Sequence, residues 1–528
     1  MIPGTMQPYA LTLDKFIDHA ARWHPHSQVV TASEHGPSER IGYADLRSNA
    51  QRVSAALAER GVVQGECVAT LAWNTQAHLE AWYGIMGMGA ICHTLNPRLL
   101  PAQIASMLDQ SEARILIVSA DLYGLAGKVL ASAPQVEQVL LIDGDTDIGM
   151  FADGARRVST MSAAVAKAAG TAEWGRFDEN APCGLCFTSG TTGAPKGVTY
   201  THRGNYLHSM RQLQADVAGL THRDSVLTMV PMFHANAWGL PFSVPAVGGK
   251  LVFPGTVSGG EALARLIHEE NVTVGVGVPT VWLGLMDHLD EAGGDVPTLE
   301  RIMVGGSAMP PALMERIEAR GIRVQTTWGM TEISPLGTAT PPGSAQRDAS
   351  TSGRPAIGID LMLSDASGTP LEDQRDAEGH LWVRGPSVVE TYLGQETPAT
   401  RDGWFDTGDL ARIDAHGTLT ITGRAKDLIK SGGEWINPAE IEAIVGAHPD
   451  VSMAAVIGRE HGKWGERPIL LVELRQGTQV TDEALLGTLE GKVASWWRPD
   501  SVERLANMPL AATGKVDKLR LRSEYGRS

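Results

Sequence analysis

Short runs of Val, Ile and Leu alternate with amphipathic helical pattern through most of the first 340 residues. Among the runs are Cys67-Val-Ala-Thr-Leu71, Ile115-Leu-Ile-Val118, Val226-Leu-Thr-Met-Val230, Leu251-Val-Phe253 and Val274-Gly-Val-Gly-Val278. Strands that are apolar throughout, separated by helices, predict parallel-rich sheets covered on both faces. From about Gly353 the texture changes. Gly379-His-Leu-Trp-Val-Arg-Gly385 and Gly417-Thr-Leu-Thr-Ile-Thr-Gly-Arg424 alternate over short spans between glycines, which predicts a small antiparallel region. A polar stretch, Ala425-Lys-Asp-Leu-Ile-Lys-Ser-Gly-Gly433, follows. A helix is then expected to start at Asn437, with Pro438 first and Glu440 third. The whole reads as a multidomain α/β chain. Residues 1–425 form a large N-terminal domain of parallel-rich sheets plus the small β region, and 426–528 a small, mobile α+β domain.

Length supports this division, because 528 residues exceed what one compact core organises. A hydrophobic share of 43% and a charged share of 20% belong to an ordinary globular protein. The formal charge of −16 argues against nonspecific nucleic-acid binding, yet a few local Lys and Arg can still make one cleft attract an anion. The N-terminus carries no secretory pattern, and no apolar stretch reaches the roughly 18–20 residues of a membrane span. The longest, Val272 to Met286, contains Pro279 and reads as a buried strand, a turn and a helix start. Four cysteines, Cys67, Cys92, Cys183 and Cys186, are too few for a disulfide framework, and a reducing cytoplasm is the expected setting. Cys183 and Cys186 form a C-x-x-C inside an apolar run. It reads as a buried strand, with metal or redox chemistry as the alternative.

The segment richest in chemistry is Thr188-Ser-Gly-Thr-Thr-Gly-Ala-Pro-Lys-Gly-Val198, directly after the apolar run ending at Phe187. Gly190, Gly193 and Gly197 let the backbone bring its N–H groups close to an anion. Thr188, Ser189, Thr191 and Thr192 add hydroxyl donors, and Lys196 adds a positive charge. That is what a polyphosphate needs, although the spacing differs from the common P-loop. The string resembles the phosphate-loop signature of the adenylate-forming superfamily, which comprises acyl-CoA synthetases, peptide-synthetase adenylation domains and firefly-type luciferases. Further segments resemble that superfamily in the same order along nearly the whole chain.

That resemblance implies roles for several residues. Gln325, Thr326, Thr327, Trp328 and Thr331 are expected to bind ATP or AMP, with Trp328 stacked on adenine where many members carry Tyr. Glu332 is expected to help hold Mg²⁺, a hard cation that prefers a carboxylate. Asp409, Ile421 and Arg424 would hold the ribose and its surroundings, although Asp406-Thr-Gly-Asp409 alone is an ordinary turn. Lys426 matches the hinge, and Lys430 would lie near phosphate or at the domain junction. Lys515, in Pro509-Leu-Ala-Ala-Thr-Gly-Lys515, resembles the catalytic lysine, whereas a lysine there is otherwise a solvated charge. Catalysis is thus assigned to Lys515, Glu332 and Thr188.

Ser431-Gly-Gly-Glu-Trp-Ile-Asn-Pro438 looks like the version found in fatty and medium-chain acyl-CoA synthetases, with Gly432, Gly433, Glu434 and Trp435 toward CoA. Pro231-Met-Phe-His-Ala-Asn-Ala-Trp-Gly-Leu240 is similar to the same branch. It places His234, Trp238 and Gly239 at the acyl site with Gly305 and Gly306, unless His234 is a satisfied core histidine; Trp238 could cap a shallow pocket. Ile91–Arg98 and Lys463–Pro468 resemble a bacterial group that includes 3-methylmercaptopropionate-CoA and medium-chain fatty acyl-CoA ligases. The implied activity is an AMP-forming ligase joining a short- to medium-chain carboxylic acid to coenzyme A, using ATP and Mg²⁺. The candidate assembly is a homodimer. The rivals are an enzyme loading a carrier protein, a luciferase-like oxidoreductase, and a nucleotide-binding protein without activity.

Overall fold

The computed structural model describes residues 4–34, 37–144, 156–170, 172–188, 195–344, 347–432, 434–475, 477–511 and 515–527. Two large sheets dominate. In the nine-stranded sheet, Gln28–Thr31, Lys250–Phe253, Ser225–Thr228, Val274–Gly277, Arg301–Val304 and Arg323–Gly329 run parallel. Antiparallel strands close both edges: Glu39–Gly42 on one side, Leu336–Ala339 and Arg354–Pro355 on the other. In the seven-stranded sheet the order is Arg157–Thr160, Gln138–Ile142, Ile115–Ser119, Cys67–Leu71, Ile91–Thr94, Pro182–Thr188 and Lys196–Thr201, only the last being antiparallel.

Burial on both sheet faces explains why these strands read as unbroken apolar runs. Helices Asp14–Trp23, Tyr43–Ala58, Gln76–Gly87 and Leu240–Val247 lie between the sheets. There Phe16, Leu46, Trp82 and Phe242 join Val29 and Val226 of one sheet and Val68 and Ile117 of the other in a single core. Gly260–Glu269, Pro279–Ala292 and Pro311–Glu318 cover the outer face of the nine-stranded sheet. Pro101–Ser111 and Tyr123–Leu130 cover that of the seven-stranded sheet. The result is five layers, helix–sheet–helix–sheet–helix. Val272 to Met286 folds as expected, into the strand Val274–Gly277 and the start of helix Pro279–Ala292.

The antiparallel region predicted after Gly353 is a five-stranded sheet of Asp360–Ser364, Ala377–Arg384, Thr400–Arg401, Trp404–Ile413 and Leu419–Arg424. Its inward residues, among them Leu381, Val383 and Ala411, belong to the main core. Among the described residues, none after Ile421 does. A short 3-10 turn, Ala425–Asp427, leads into the last sheet, formed by Ile429–Ser431, Glu434–Ile436, Val451–His461, Gly465–Leu474 and Val502–Arg504. This unit packs its own core around Ile441, Val445, Val456, Leu470 and Val472. Helix Pro438–Gly446 begins where the sequence places it, with the Asn437 side chain accepting from the Ala439 N–H at 3.1 Å. The same side chain donates to the Thr422 carbonyl at 2.6 Å, tying that helix to the strand before the turn. Among the described residues, no helix is long and apolar enough to cross a membrane.

Cys183 and Cys186 lie in strand Pro182–Thr188, buried and unpaired. Burial pushes the Cys186 thiol up, the opposite of what a reactive thiol needs. No cluster of three or more His, Cys, Asp or Glu side chains able to hold a metal occurs among the described residues. The C-x-x-C lies within a buried strand, as its apolar surroundings predict.

Candidate active site

Asp409 sits at the centre of the candidate site. It lies on the strand Trp404–Ile413 and is 2% exposed. Arg424, its register partner on the neighbouring strand, closes an ion pair from Nε to Oδ1 at 2.6 Å. The indole Nε1–H of Trp328 donates to Oδ2 at 2.9 Å. Burial pushes the carboxyl upward, and Arg424, Trp328 and Lys515 oppose that shift by favouring the anion. Two donors thus keep a carboxylate charged where water hardly reaches.

Lys515 comes from the other side, in a loop closed by the Ala511 N–H donating to its carbonyl at 2.7 Å. Desolvation, then the charge of Arg424, lowers its pKa, while Asp409 and Glu332 pull the other way. A Cβ added to Gly306 would stand 3.8 Å from Lys515 Cε and 3.8 Å from Trp238 Cζ2. The C-terminal unit therefore delivers its lysine into the cleft formed by the N-terminal unit. The solvated-charge reading of Lys515 does not describe this arrangement.

Glu332 follows in the turn Thr331–Ile333, 8% exposed, and accepts from the Tyr392 hydroxyl at 3.1 Å. Burial raises its pKa, against Tyr392, Arg424 and Lys196. The Glu332 carboxylate is a hard oxygen donor that would fit a hard divalent cation. Such a donor suits magnesium. Lys196 is paired in register with Thr188, so the strands Pro182–Thr188 and Lys196–Thr201 hold the two ends of the phosphate-loop string together. Ser189, Gly190, Thr191, Thr192 and Gly193, expected to bind ATP, lie outside the described residues.

The segment 325–328 departs in part from expectation. Gln325 is buried, its amide donating to the carbonyls of Val217 and Thr340 and accepting from Arg301. That side chain is bonded inside the fold, so any contact of this position with a nucleotide would fall to its backbone. Thr326 shares a hydrogen bond with Thr340 at 2.8 Å, and Thr327 donates to the Val304 carbonyl at 3.0 Å. Trp328 is 7% exposed, with its ring against Gly337. Its indole N–H serves Asp409, a contact that the stacking expectation did not include. The Thr331 carbonyl accepts from the Tyr200 hydroxyl at 2.9 Å. Ile421 is half-buried against the main core, on the strand that carries Arg424.

The acyl candidates meet at an unusual turn. Ala235, Asn236, Ala237, Trp238 and Gly239 all have positive φ, from 44° to 77°. Left-handed backbone costs a non-glycine residue about 1–2 kcal/mol, so surrounding contacts must hold it. Gln212 Nε2 donates to the Trp238 carbonyl at 2.9 Å, and the Cys186 thiol faces Asn236 Oδ1 at 3.7 Å. The turn presents the Trp238 ring to Gly305, where an added Cβ would come within 3.1 Å of Cη2. Desolvation, then Lys515, pushes the His234 imidazole down to about 4, so it is neutral at physiological pH.

The CoA candidates lie elsewhere on the C-terminal unit. Gly432 (φ 61°) turns the hairpin between Ile429–Ser431 and Glu434–Ile436, and Gly433 lies outside the described residues. Trp435 is 52% exposed, with Lys430 Nζ 5.4 Å from the centroid of its ring. Lys426 is exposed in the turn Ala425–Asp427, and Arg522 reaches Asp427 at 3.1 Å. Sequence reasoning missed Tyr392, which lies in a loop without periodic pattern.

A buried acid gripped by Arg and Trp, a carboxylate suited to magnesium and a lysine supplied by a second unit describe an enzyme for a phosphorylated nucleotide. The AMP-binding enzyme family matches residues 17–393 and the AMP-binding enzyme C-terminal domain residues 440–515, so the chain belongs to the AMP-binding enzymes. A 3-methylmercaptopropionyl-CoA ligase of Ruegeria pomeroyi is 40% identical over 99% of this chain and 98% of its own length. A medium-chain-fatty-acid–CoA ligase of Ectopseudomonas oleovorans is 37% identical over 99% and 97%. The crystal structure of an anthranilate CoA ligase in complex with anthranoyl-AMP superposes with a TM-score of 0.87 over 98% of both chains; at 24% identity it speaks to the fold.

Trp328→Phe should leave a buried Asp409 oxygen short of a donor and cost about 1–3 kcal/mol of stability, read by denaturant unfolding. An unchanged unfolding midpoint and slope would mean that Arg424 alone satisfies the carboxylate.

Proposed function

We propose that the protein is an AMP-forming acid:CoA ligase that activates a short- to medium-chain carboxylic acid as its adenylate and transfers the acyl group to coenzyme A. The observation that carries this reading is the convergence of Lys515 on Asp409, Arg424 and Glu332, with Trp238 and Gly306 beside it. A cation flanked by a nucleotide-type carboxylate and an apolar wall suits the joining of ATP to an acid. The CoA-ligase names of the full-length relatives support CoA as the acceptor. They also make 3-methylmercaptopropionate and medium-chain fatty acids the first acids to try. The Trp238 ring against Gly305 fits a shallow pocket and the shorter end of that range.

In the first half-reaction the acid carboxylate attacks the α-phosphorus of ATP and pyrophosphate leaves. The chain's contribution is positioning and charge. Lys515 neutralises charge gathering between the carboxylate and the α-phosphate. Thr188 and Lys196, with the residues between them, cradle the outer phosphates. Asp409 accepts from the ribose hydroxyls while Arg424 keeps it ionised. Neutral His234 lines the acyl side without adding charge. Glu332 is the residue that would hold Mg²⁺, which would supply neutralisation of charge on the phosphate oxygens.

For the second half-reaction we assign residues 426–528 as a mobile domain pivoting at Lys426. Its rotation withdraws Lys515 and brings Gly432, Gly433, Glu434 and Trp435 to the site. The CoA thiolate then attacks the acyl carbonyl and AMP leaves, with no covalent enzyme intermediate. The setting we assign is the cytoplasm. Loading of a carrier protein is the rival reading, separated by the acceptor.

The deciding experiment is pyrophosphate release with ATP, Mg²⁺ and acids from acetate to laurate, including 3-methylmercaptopropionate, with and without CoA. Acid-dependent release with AMP and acyl-CoA as products is expected; release without thioester would favour the carrier-protein reading. Lys515→Ala should lower adenylation by at least about a hundredfold, the scale of losing a positioned charge, and affect thioester formation from supplied acyl-adenylate far less. Equal loss in both half-reactions would remove Lys515 from its assigned role. Trp238→Ala should move the preferred acid to longer chains; an unaltered chain-length profile would show that the indole does not bound the pocket.

A further inference from the structure

Tyr392 stands between two groups of the candidate site that do not touch each other. Its hydroxyl donates to Glu332 Oε1 at 3.1 Å, and Lys196 Nζ lies 4.9 Å from its ring centroid. One side chain therefore contacts an anion through its hydrogen-bonding end and a cation through its π face. It is 9% exposed, so both contacts are shielded from water.

The backbone around it is fixed at matching points. The Val389 N–H donates to the Glu332 carbonyl at 2.8 Å, and the Leu393 N–H donates to the Gly197 carbonyl at 2.8 Å. Gly197 is required for that approach, since a Cβ there would stand 2.9 Å from Leu393 Cβ. Ser334 Oγ donates to the Ser387 carbonyl at 3.0 Å, a further tie to the turn that carries Glu332. Residues 387–393 thus connect the strand starting at Lys196, in the seven-stranded sheet, with the segment 331–334.

We propose that Tyr392 is a positioning residue for the first half-reaction, its hydroxyl orienting Glu332 toward the divalent cation and its ring orienting Lys196 toward the outer phosphates. The assignment rests on the ligase reading above. A residue that merely fills space would serve equally well as Phe; the geometry instead gives the hydroxyl and the ring separate tasks.

The two tasks separate in Tyr392→Phe and Tyr392→Leu. Calorimetric titration of ATP into the full-length protein, in EDTA and in Mg²⁺, reads binding without turnover. Tyr392→Phe should keep metal-free ATP affinity within about twofold and lose most of the gain that Mg²⁺ gives the wild type. The Mg²⁺ midpoint of pyrophosphate release should rise by about tenfold or more, the size of one hydrogen bond to a charged group. Tyr392→Leu should show the same Mg²⁺ defect and also weaken metal-free ATP binding about three- to fivefold, through loss of the cation–π contact. A wild-type Mg²⁺ response in Tyr392→Phe would overturn the proposal. So would equal losses with and without metal, the mark of a merely structural role. If Tyr392→Leu fails to fold, the Phe variant decides the hydroxyl's part and Tyr392→Trp, which keeps an aromatic face, tests the ring by retaining metal-free ATP affinity. If the wild type binds ATP but releases no pyrophosphate with any acid, the ligase reading fails while the calorimetric arm still judges Tyr392.

Discussion

An ionised carboxylate at 2% exposure is the constraint from which the rest of this site can be understood. A buried charge persists only where fixed donors replace water. Asp409 receives one donor from Arg424 on the adjacent strand and one from Trp328, a residue of the nine-stranded sheet. The small antiparallel sheet must therefore stand at a set distance from the larger one. Backbone hydrogen bonds along the seam, from the Ser352 N–H to the Leu419 carbonyl at 2.7 Å and from the Leu419 N–H to the Gly353 carbonyl at 2.8 Å, help to satisfy that requirement. Lys515 adds a second positive charge from the C-terminal unit, so the cleft becomes a mixed-charge pocket within an acidic protein. A net charge of −16 and a site for anionic substrates are compatible because the field in a cleft is local.

The five-layer body supplies rigidity, and the C-terminal unit supplies one lysine and little else to the cleft. Separate cores make this division physical. The main core ends at Ile421, and the next hydrophobic cluster begins at Ile429. Between them lie a three-residue turn and a few polar ties such as Asn437 to Thr422. Polar ties of this kind exchange for water at small net cost, whereas separating apolar surfaces would not.

Much of the fold was legible in the sequence, because strands covered on both faces must be apolar throughout, as Ile115–Ser119 and Val274–Gly277 are. The start of helix Pro438–Gly446 was readable from capping chemistry alone. The order of strands was not, since the crossover that sets Gln28–Thr31 beside Lys250–Phe253 depends on packing between residues more than two hundred positions apart. At the site, the sequence singled out Asp409, Arg424 and Lys515 because their motifs are local, and the structure brings the three together. Motif membership does not say where a side chain points, and that of Gln325 turns inward to Val217 and Thr340. Tyr392 was missed because its significance lies in two partners distant in sequence. The left-handed turn at 235–239 was equally hidden, because Ala and Trp carry no local preference for positive φ.

The position of the Ala425–Asp427 turn has a mechanical side. Arg424, which grips Asp409, is the residue immediately before it, and everything from Ile429 onward follows as one folded body with its own core. Backbone torsions within the turn leave the Asp409–Arg424 pair in place, because both partners precede it. Lys515 belongs to the body that follows the turn, so a torsional change there would move that lysine while the pair stayed in place. The clamp stands before the turn and the working charge after it. A nucleotide held by the clamp would feel little of the swing.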